Sequence, residues 1–143
     1  MNERLNVLVV DDEHSVLVTA AAILSEDFRV LTASDATAAL RLMERNTIDV
    51  LATDFNMPGR NGIQLLREAM RLQPHLSGVL VTGHREYLDK RDKYEMQGLY
   101  YLLIKPYEPK RLVELIHRAA EASRLKRTMS SLSSELSAWK RVL

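Results

Sequence analysis

Short apolar runs alternate with longer amphipathic stretches along this chain. The runs at residues 5–10, 28–33, 48–53, 78–82 and 99–104 are each four to eight residues long and rich in valine, leucine and isoleucine. That length and near-continuous apolarity predict strands covered on both faces. The stretches between them carry apolar residues at helical spacing. Residues 14–26 contain Leu17, Ala20, Ala21, Ile23 and Leu24, and residues 35–46 contain Ala36, Ala39, Leu40 and Met43. Ser34 or Asp35 is a suitable N-cap for the second of these helices. Residues 62–73 contain Leu65, Leu66, Ala69 and Met70, with Pro74 as a stop. Residues 85–97 form the most polar of the predicted helices. Pro109 suits the first turn of a last helix, in which Leu112, Leu115, Ile116 and Ala119 would pack on the sheet.

Five strands alternating with five helices imply parallel β-α-β units with right-handed crossovers. The expected fold is α/β, a doubly wound five-stranded parallel sheet with helices on both faces and an extended C-terminal helix. Ligands of such open sheets bind outside the carboxyl ends of the strands, so chemistry is to be sought there.

Composition narrows the class. The 143 residues suit one domain with a little chain to spare, and the 46% hydrophobic content suits a packed core. The absence of cysteine excludes disulfide scaffolds, cysteine zinc sites, thiol nucleophiles and iron–sulfur clusters. No apolar run reaches the roughly 20 residues of a membrane span, and the N-terminus does not read as a signal peptide, so the expected location is cytoplasmic. The net charge of +1 hides a split: residues 1–107 carry 12 basic and 15 acidic side chains, residues 108–143 carry 8 and 4.

Strand 1 ends in Asp11-Asp12, strand 3 in Asp54, strand 4 in Thr82 and strand 5 in Lys105-Pro106. Taken singly, each is an ordinary turn, cap, β or surface residue. A parallel sheet brings all four ends to one edge, and the conjunction is what points to a site. Three close carboxylates repel one another, and a hard divalent cation with oxygen ligands resolves the conflict. A carboxylate also serves as nucleophile in aspartyl-phosphate chemistry. Phosphoryl transfer needs in-line placement and neutralised equatorial oxygens, which a metal, a lysine and a hydroxyl around one Asp supply.

Val9-Val10-Asp11-Asp12-Glu13, the segment from Asp54 through Met57-Pro58-Gly59 to Gly62, Val81-Thr82-Gly83 and Ile104-Lys105-Pro106 stand in order with matching spacing. Together they resemble the four signatures of the response-regulator receiver domain of two-component signalling, across residues 5–125. The resemblance implies a flavodoxin-like sheet and a regulatory phosphoacceptor, not an ordinary enzyme. It implies that Asp54 accepts a phosphoryl group from a phosphohistidine of a sensor histidine kinase or histidine phosphotransfer protein. Mg2+, with Mn2+ as a substitute, would be bound by Asp11, Asp12, Asp54 and the backbone carbonyl of Asn56. Lys105 would contact the carboxylate and then the phosphoryl group, Thr82 would hydrogen-bond that group, and Lys105-Pro106 would be a cis peptide. Asn56 and His84 occupy the positions that modulate the lifetime of the phosphoryl group in the family, although His84 is equally readable as a helix-start residue. His14, His75 and His117 read as surface or capping residues.

The match departs at Leu102, where the family usually has an aromatic switch residue. Tyr100 and Tyr101 lie just before it; they are open to two readings, as packing residues or as part of a switch or partner surface. A shift of one residue reverses the face of a strand, so Tyr101 is no simple substitute. Phosphorylation would bias the surface of the fourth predicted helix, the fifth strand and the fifth predicted helix.

The receiver is expected over residues 1–124, leaving a helical extension over 125–143. There Leu125, Met129, Leu132, Leu136, Trp139 and Leu143 are spaced 4, 3, 4, 3 and 4, a heptad seam. A helix pairing with a second copy, a coiled-coil connector to an output domain and a frayed tail all fit these residues; five serines weaken the helix. The expected function is a receiver controlling an output domain or partner, with a homodimer through the extension or the switch surface. The alternative is a stand-alone relay or protein-binding receiver. Direct nucleic-acid binding is not expected, because one helix with a modest +4 charge is no helix-turn-helix. A haloacid-dehalogenase-like phosphatase would need a second Asp two residues after the nucleophile, where Asn56 stands. No glycine-rich phosphate loop follows strand 1.

Overall fold

The computed structural model of the chain describes residues 4–84 and 100–142. The elements are β1 (Asn6–Val10), α1 (His14–Leu24), β2 (Arg29–Ala33), α2 (Ala36–Arg45), β3 (Val50–Asp54), α3 (Gly62–Leu72), β4 (Ser77–Thr82), β5 (Tyr101–Ile104) and α4 (Pro109–Val142). The helix expected at 85–97, the start of the fifth run at Leu99 and the last seam residue Leu143 lie outside the described residues. All strand pairs are parallel, in the order β2-β1-β3-β4-β5. This is the doubly wound α/β fold expected.

The strands alternate their side chains between two cores, as a period of two requires. Val7, Val9, Val50, Ala52, Val79, Val81 and Leu103 face α1 and α4, where they meet Leu17, Leu24, Leu115 and Ile116. Leu8, Val10, Leu51, Leu80 and Leu102 face α2 and α3, where they meet Ala39, Met43, Leu65 and Leu66. Leu115 and Ile116 are fully buried, and truncating such a residue to alanine costs about 2–5 kcal/mol.

Local chemistry sets the helix starts. Asp35 caps α2 by accepting the Ala38 N–H at 2.8 Å. Asn61 and Gln64 form a reciprocal capping box on α3, 2.9 Å in each direction, satisfying two end groups at once. Pro109 opens α4, which runs unbroken to Val142; no break of secondary structure marks residue 124. Its buried positions end at Ser123, so residues 128–142 project roughly 22 Å at 1.5 Å per residue.

Gly62 begins α3 directly beneath the end of β3. A methyl group there would clash with the Asp54 carbonyl oxygen and sit 2.9 Å from Leu80 Cδ1, whereas one at Gly83 would meet nothing within 4 Å among the described residues. Gly62→Ala is therefore expected to destabilise the chain by about 1–3 kcal/mol, the usual cost of overpacking. Gly83→Ala serves as a near-neutral control, and urea unfolding midpoints compare the two.

Candidate functional site

The register delivers the chemistry to one end of the sheet, one step per strand. Val10 pairs with Thr53, so Asp11 leaves β1 beside Asp54. Asp54 pairs with Val81, and Thr82 is the next residue of β4. Thr82 pairs with Ile104, and Lys105 follows it. The peptide between Lys105 and Pro106 is cis.

Asp11, Asp12 and Asp54 each offer a carboxylate oxygen within 4.8 Å of the others. Asp11 and Asp54 are 4% and 8% exposed, while Asp12 is open to solvent. Lys105 Nζ donates to Asp54 Oδ1 at 3.0 Å and stands 3.8 Å from Asp11 Oδ2. The other oxygen of Asp11 accepts the Glu13 N–H at 2.9 Å. Burial pushes the Asp11 pKa above the usual carboxylate value; the Glu13 N–H opposes this, the Asp54 charge reinforces it, Lys105 opposes it and Asp12 reinforces it. Burial disfavours the charge of Lys105, but its hydrogen bond to Asp54 and the fields of Asp54 and Asp11 outweigh that, so its pKa lies above the ordinary lysine value. Three carboxylates this close, one of them held above its normal pKa, make an oxygen donor set that fits a hard divalent cation such as Mg2+.

Thr82 is 1% exposed, and its Oγ1 accepts the His84 N–H at 3.0 Å. Asn56 Nδ2 and His84 Nε2 lie 3.3 Å apart. The ring of Phe55 meets that of His84 edge-on, with centroids 5.5 Å apart. Hydroxyl, ammonium and carboxylates thus gather around Asp54, with Asn56 and His84 against each other beside them. The family model of the response regulator receiver domain matches residues 7–117. The chain belongs to this family.

Relatives of this receiver domain include the hydrogenase transcriptional regulatory protein HoxA of Cupriavidus necator, 33% identical over 94% of the chain and 28% of the relative. The C4-dicarboxylate transport regulator DctD of Rhizobium meliloti is 30% identical over 87% of the chain and 27% of the relative. The receiver thus spans just over a quarter of these relatives' length. A receiver domain protein from Clostridium thermocellum superposes with a TM-score of 0.73, at 35% identity over 85% of this chain and 98% of that one. NtrX from Brucella abortus does so with a TM-score of 0.78, at 32% identity over 91% of this chain and 30% of that one.

The remaining candidates of the receiver divide by burial. Leu102 and Tyr100 are buried against the α2–α3 side, packed into that core. Tyr101 points the other way, half-buried, with the Arg118 guanidinium 5.1 Å from its ring centre. Leu125, Met129, Leu132, Leu136 and Trp139 are all more than half exposed. Among the described residues, no helix is long and apolar enough to cross a membrane. His117 stands 3.1 Å from Asp27 and tilts onto Phe28, while His75 is partly buried.

Two features escaped the sequence reading. Tyr107 is half-buried beside the site, and burial raises its pKa against the pull of Lys105; it follows Lys105-Pro106 closely, which was the available signal. Asp49 is buried at the far end of β3; a lone charge inside the 48–53 apolar run was its signal.

Because the folded state raises the Asp11 pKa, folding gains from this group below pH 4 and loses that gain as pH rises through the folded pKa. Above the folded pKa, the ionised, buried Asp11 carries its full cost in the metal-free chain. Asp11→Asn is expected to raise the metal-free melting temperature by a few degrees at pH 7 and by less near pH 4, and to diminish further stabilisation by Mg2+. Thermal melts in EDTA and in Mg2+ check both signs.

Proposed function

We propose that this receiver accepts a phosphoryl group on Asp54 from the phosphohistidine of a sensor histidine kinase or histidine phosphotransfer protein. The observation that supports it most is the placement of Asp54, 3.0 Å from the Lys105 ammonium and within 4.8 Å of two further carboxylates. Asp11, Asp12, Asp54 and the Asn56 carbonyl would hold the Mg2+, which when bound offsets negative charge on the carboxylates and the phosphoryl oxygens. A free oxygen of Asp54 attacks phosphorus in line; the phosphorus–nitrogen bond breaks and its electron pair returns to the imidazole. Lys105, held over Asp54, takes up the charge that develops on the transferred group. Thr82, one register step away, donates its hydroxyl to a phosphoryl oxygen. Asn56 and His84 govern how water reaches the acyl phosphate.

The added charge of about −1.5 to −2 shifts the population of conformations at the surface around β5 and α4. The relatives named above are transcriptional regulatory proteins of which the chain spans little more than a quarter, which supports control of an output domain. Self-association through the seam of α4 belongs to the same reading. In a parallel pair with Leu125, Leu132 and Trp139 at d positions, Glu135 falls at g, opposite Lys140 of the second copy at e.

Asp54→Asn is expected to abolish phosphorylation by acetyl phosphate in Mg2+, and EDTA to prevent it in the parent chain, as read by intact mass. Persistent labelling of the variant would place the acceptor elsewhere. Leu132→Glu with Leu136→Glu changes only exposed positions, so the fold is retained and self-association by light scattering is expected to weaken at least tenfold.

A further inference from the structure

The sheet end opposite Asp54 holds an arrangement that phosphoacceptor chemistry does not use. Asp49 immediately precedes β3, the strand that ends in Asp54. It is 4% exposed; one oxygen accepts the Asn6 N–H at 2.8 Å, and the other accepts from the Arg127 guanidinium. Arg127 lies on α4, ten residues beyond the last residue matched by the family model. Beside it, Lys126 Nζ donates to the Leu76 carbonyl at 3.0 Å, just before β4. One turn earlier Ser123 is fully buried. An exposed ion pair adds little, but a buried carboxylate that loses its guanidinium is left with an uncompensated charge.

The two stripes of α4 face apart. At about 100° per residue, Ile116, Ala120, Ser123 and Arg127 fall on one line toward the sheet. Leu125, Met129, Leu132, Leu136 and Trp139 centre on a line about 180° away. The body of the receiver therefore leaves the seam uncovered however tightly it holds the helix. The sheet-facing line turns polar after Ser123, and Arg127, Ser130, Ser131 and Ser134 border a cleft of about 400 Å³ with Pro74 and His75. Apolar packing alone thus anchors the helix only as far as Ala120. The segment beyond it carries six serines, and a short isolated helix is marginal in water.

We propose that Arg127 and Lys126 clamp α4 to the base of β3 and β4, fixing the angle at which the seam leaves the receiver body. Arg127 is a positioning residue: it acts on self-association through the direction of the helix, from the face opposite the contact. The clamp extends the rigid body past the family's boundary and ties the helix to the strand that bears Asp54. Its consequence for pairing rests on the seam reading above; the clamp itself does not.

The chain contains no cysteine, so Glu44→Cys on α2 and Ser137→Cys on α4, both at exposed positions, supply the only thiols for a pair of spin labels. Labelled chain diluted in excess unlabelled chain reports the intramolecular distance by pulsed electron paramagnetic resonance. One narrow distance distribution is expected with Arg127 present, and one at least twice as wide with Arg127→Gln. The double variant Asp49→Asn with Arg127→Gln leaves no unpaired buried charge, keeps the fold, and is expected to be equally wide. If that double variant, with an intact circular dichroism melt, keeps the narrow distribution, the clamp is overturned. Light scattering of the Leu132→Glu, Leu136→Glu chain judges the seam separately, so the failure of either reading is recognised without the other.

Discussion

Repulsion among three carboxylates at one sheet edge is the constraint around which this molecule is arranged. The strand order puts β1 and β3 side by side at the point where the winding reverses, which is where a doubly wound sheet opens its crevice. Asp11 and Asp54 must therefore meet, and burial prevents water from screening them. Lys105, just past the end of β5, offsets part of the charge, reaching Asp54 at 3.0 Å and Asp11 at 3.8 Å. What remains is a cluster of carboxylates whose excess negative charge favours a cation. Such a site costs stability, and two apolar cores, one on each face of the sheet, supply what it takes away.

The same strand carries charge at both of its ends. Every residue of β3 is buried, with Asp54 at its carboxyl end and Asp49 just before its first residue. At about 3.3 Å per residue these carboxylates lie roughly 16 Å apart. One lies beside Asp11, Asp12 and Lys105; the other pairs with Arg127 of α4. A stiff, fully packed strand between them makes Asp54 and Asp49 parts of one body. Helix α4 is accordingly two-faced, apolar and then basic toward the receiver, and apolar at heptad spacing on the side away from it.

Much of the fold was readable from local pattern. Runs of four to eight apolar residues marked the strands within one or two residues of their bounds, because a strand buried on both faces needs apolar side chains at every position. The α2 start at Asp35 and the α3 stop before Pro74 were readable because capping and proline geometry are local. The carboxylates, hydroxyl and lysine were readable as a set because each ends a strand, and parallel strands end together. Tyr100 and Tyr101 were not resolved from sequence: adjacent strand residues point to opposite faces, and only the packing of α3 on one side and Arg118 on the other tells which is core. Asp49 stood visibly out of place in an apolar run, yet its partner Arg127 lies 78 residues away, beyond any local signal.

The sequence by itself determined the elements, their parallel arrangement and the chemical types at the strand ends, since periodicity and side-chain chemistry are properties of short segments. The tertiary structure alone decided which groups come within reach: the 3.0 Å contact of Lys105 with Asp54, the pairing of Asn56 with His84, and the docking of Arg127 on Asp49. Those contacts join residues 28 to 78 positions apart. Their distances depend on sheet register and helix packing, which form only when the whole chain has folded.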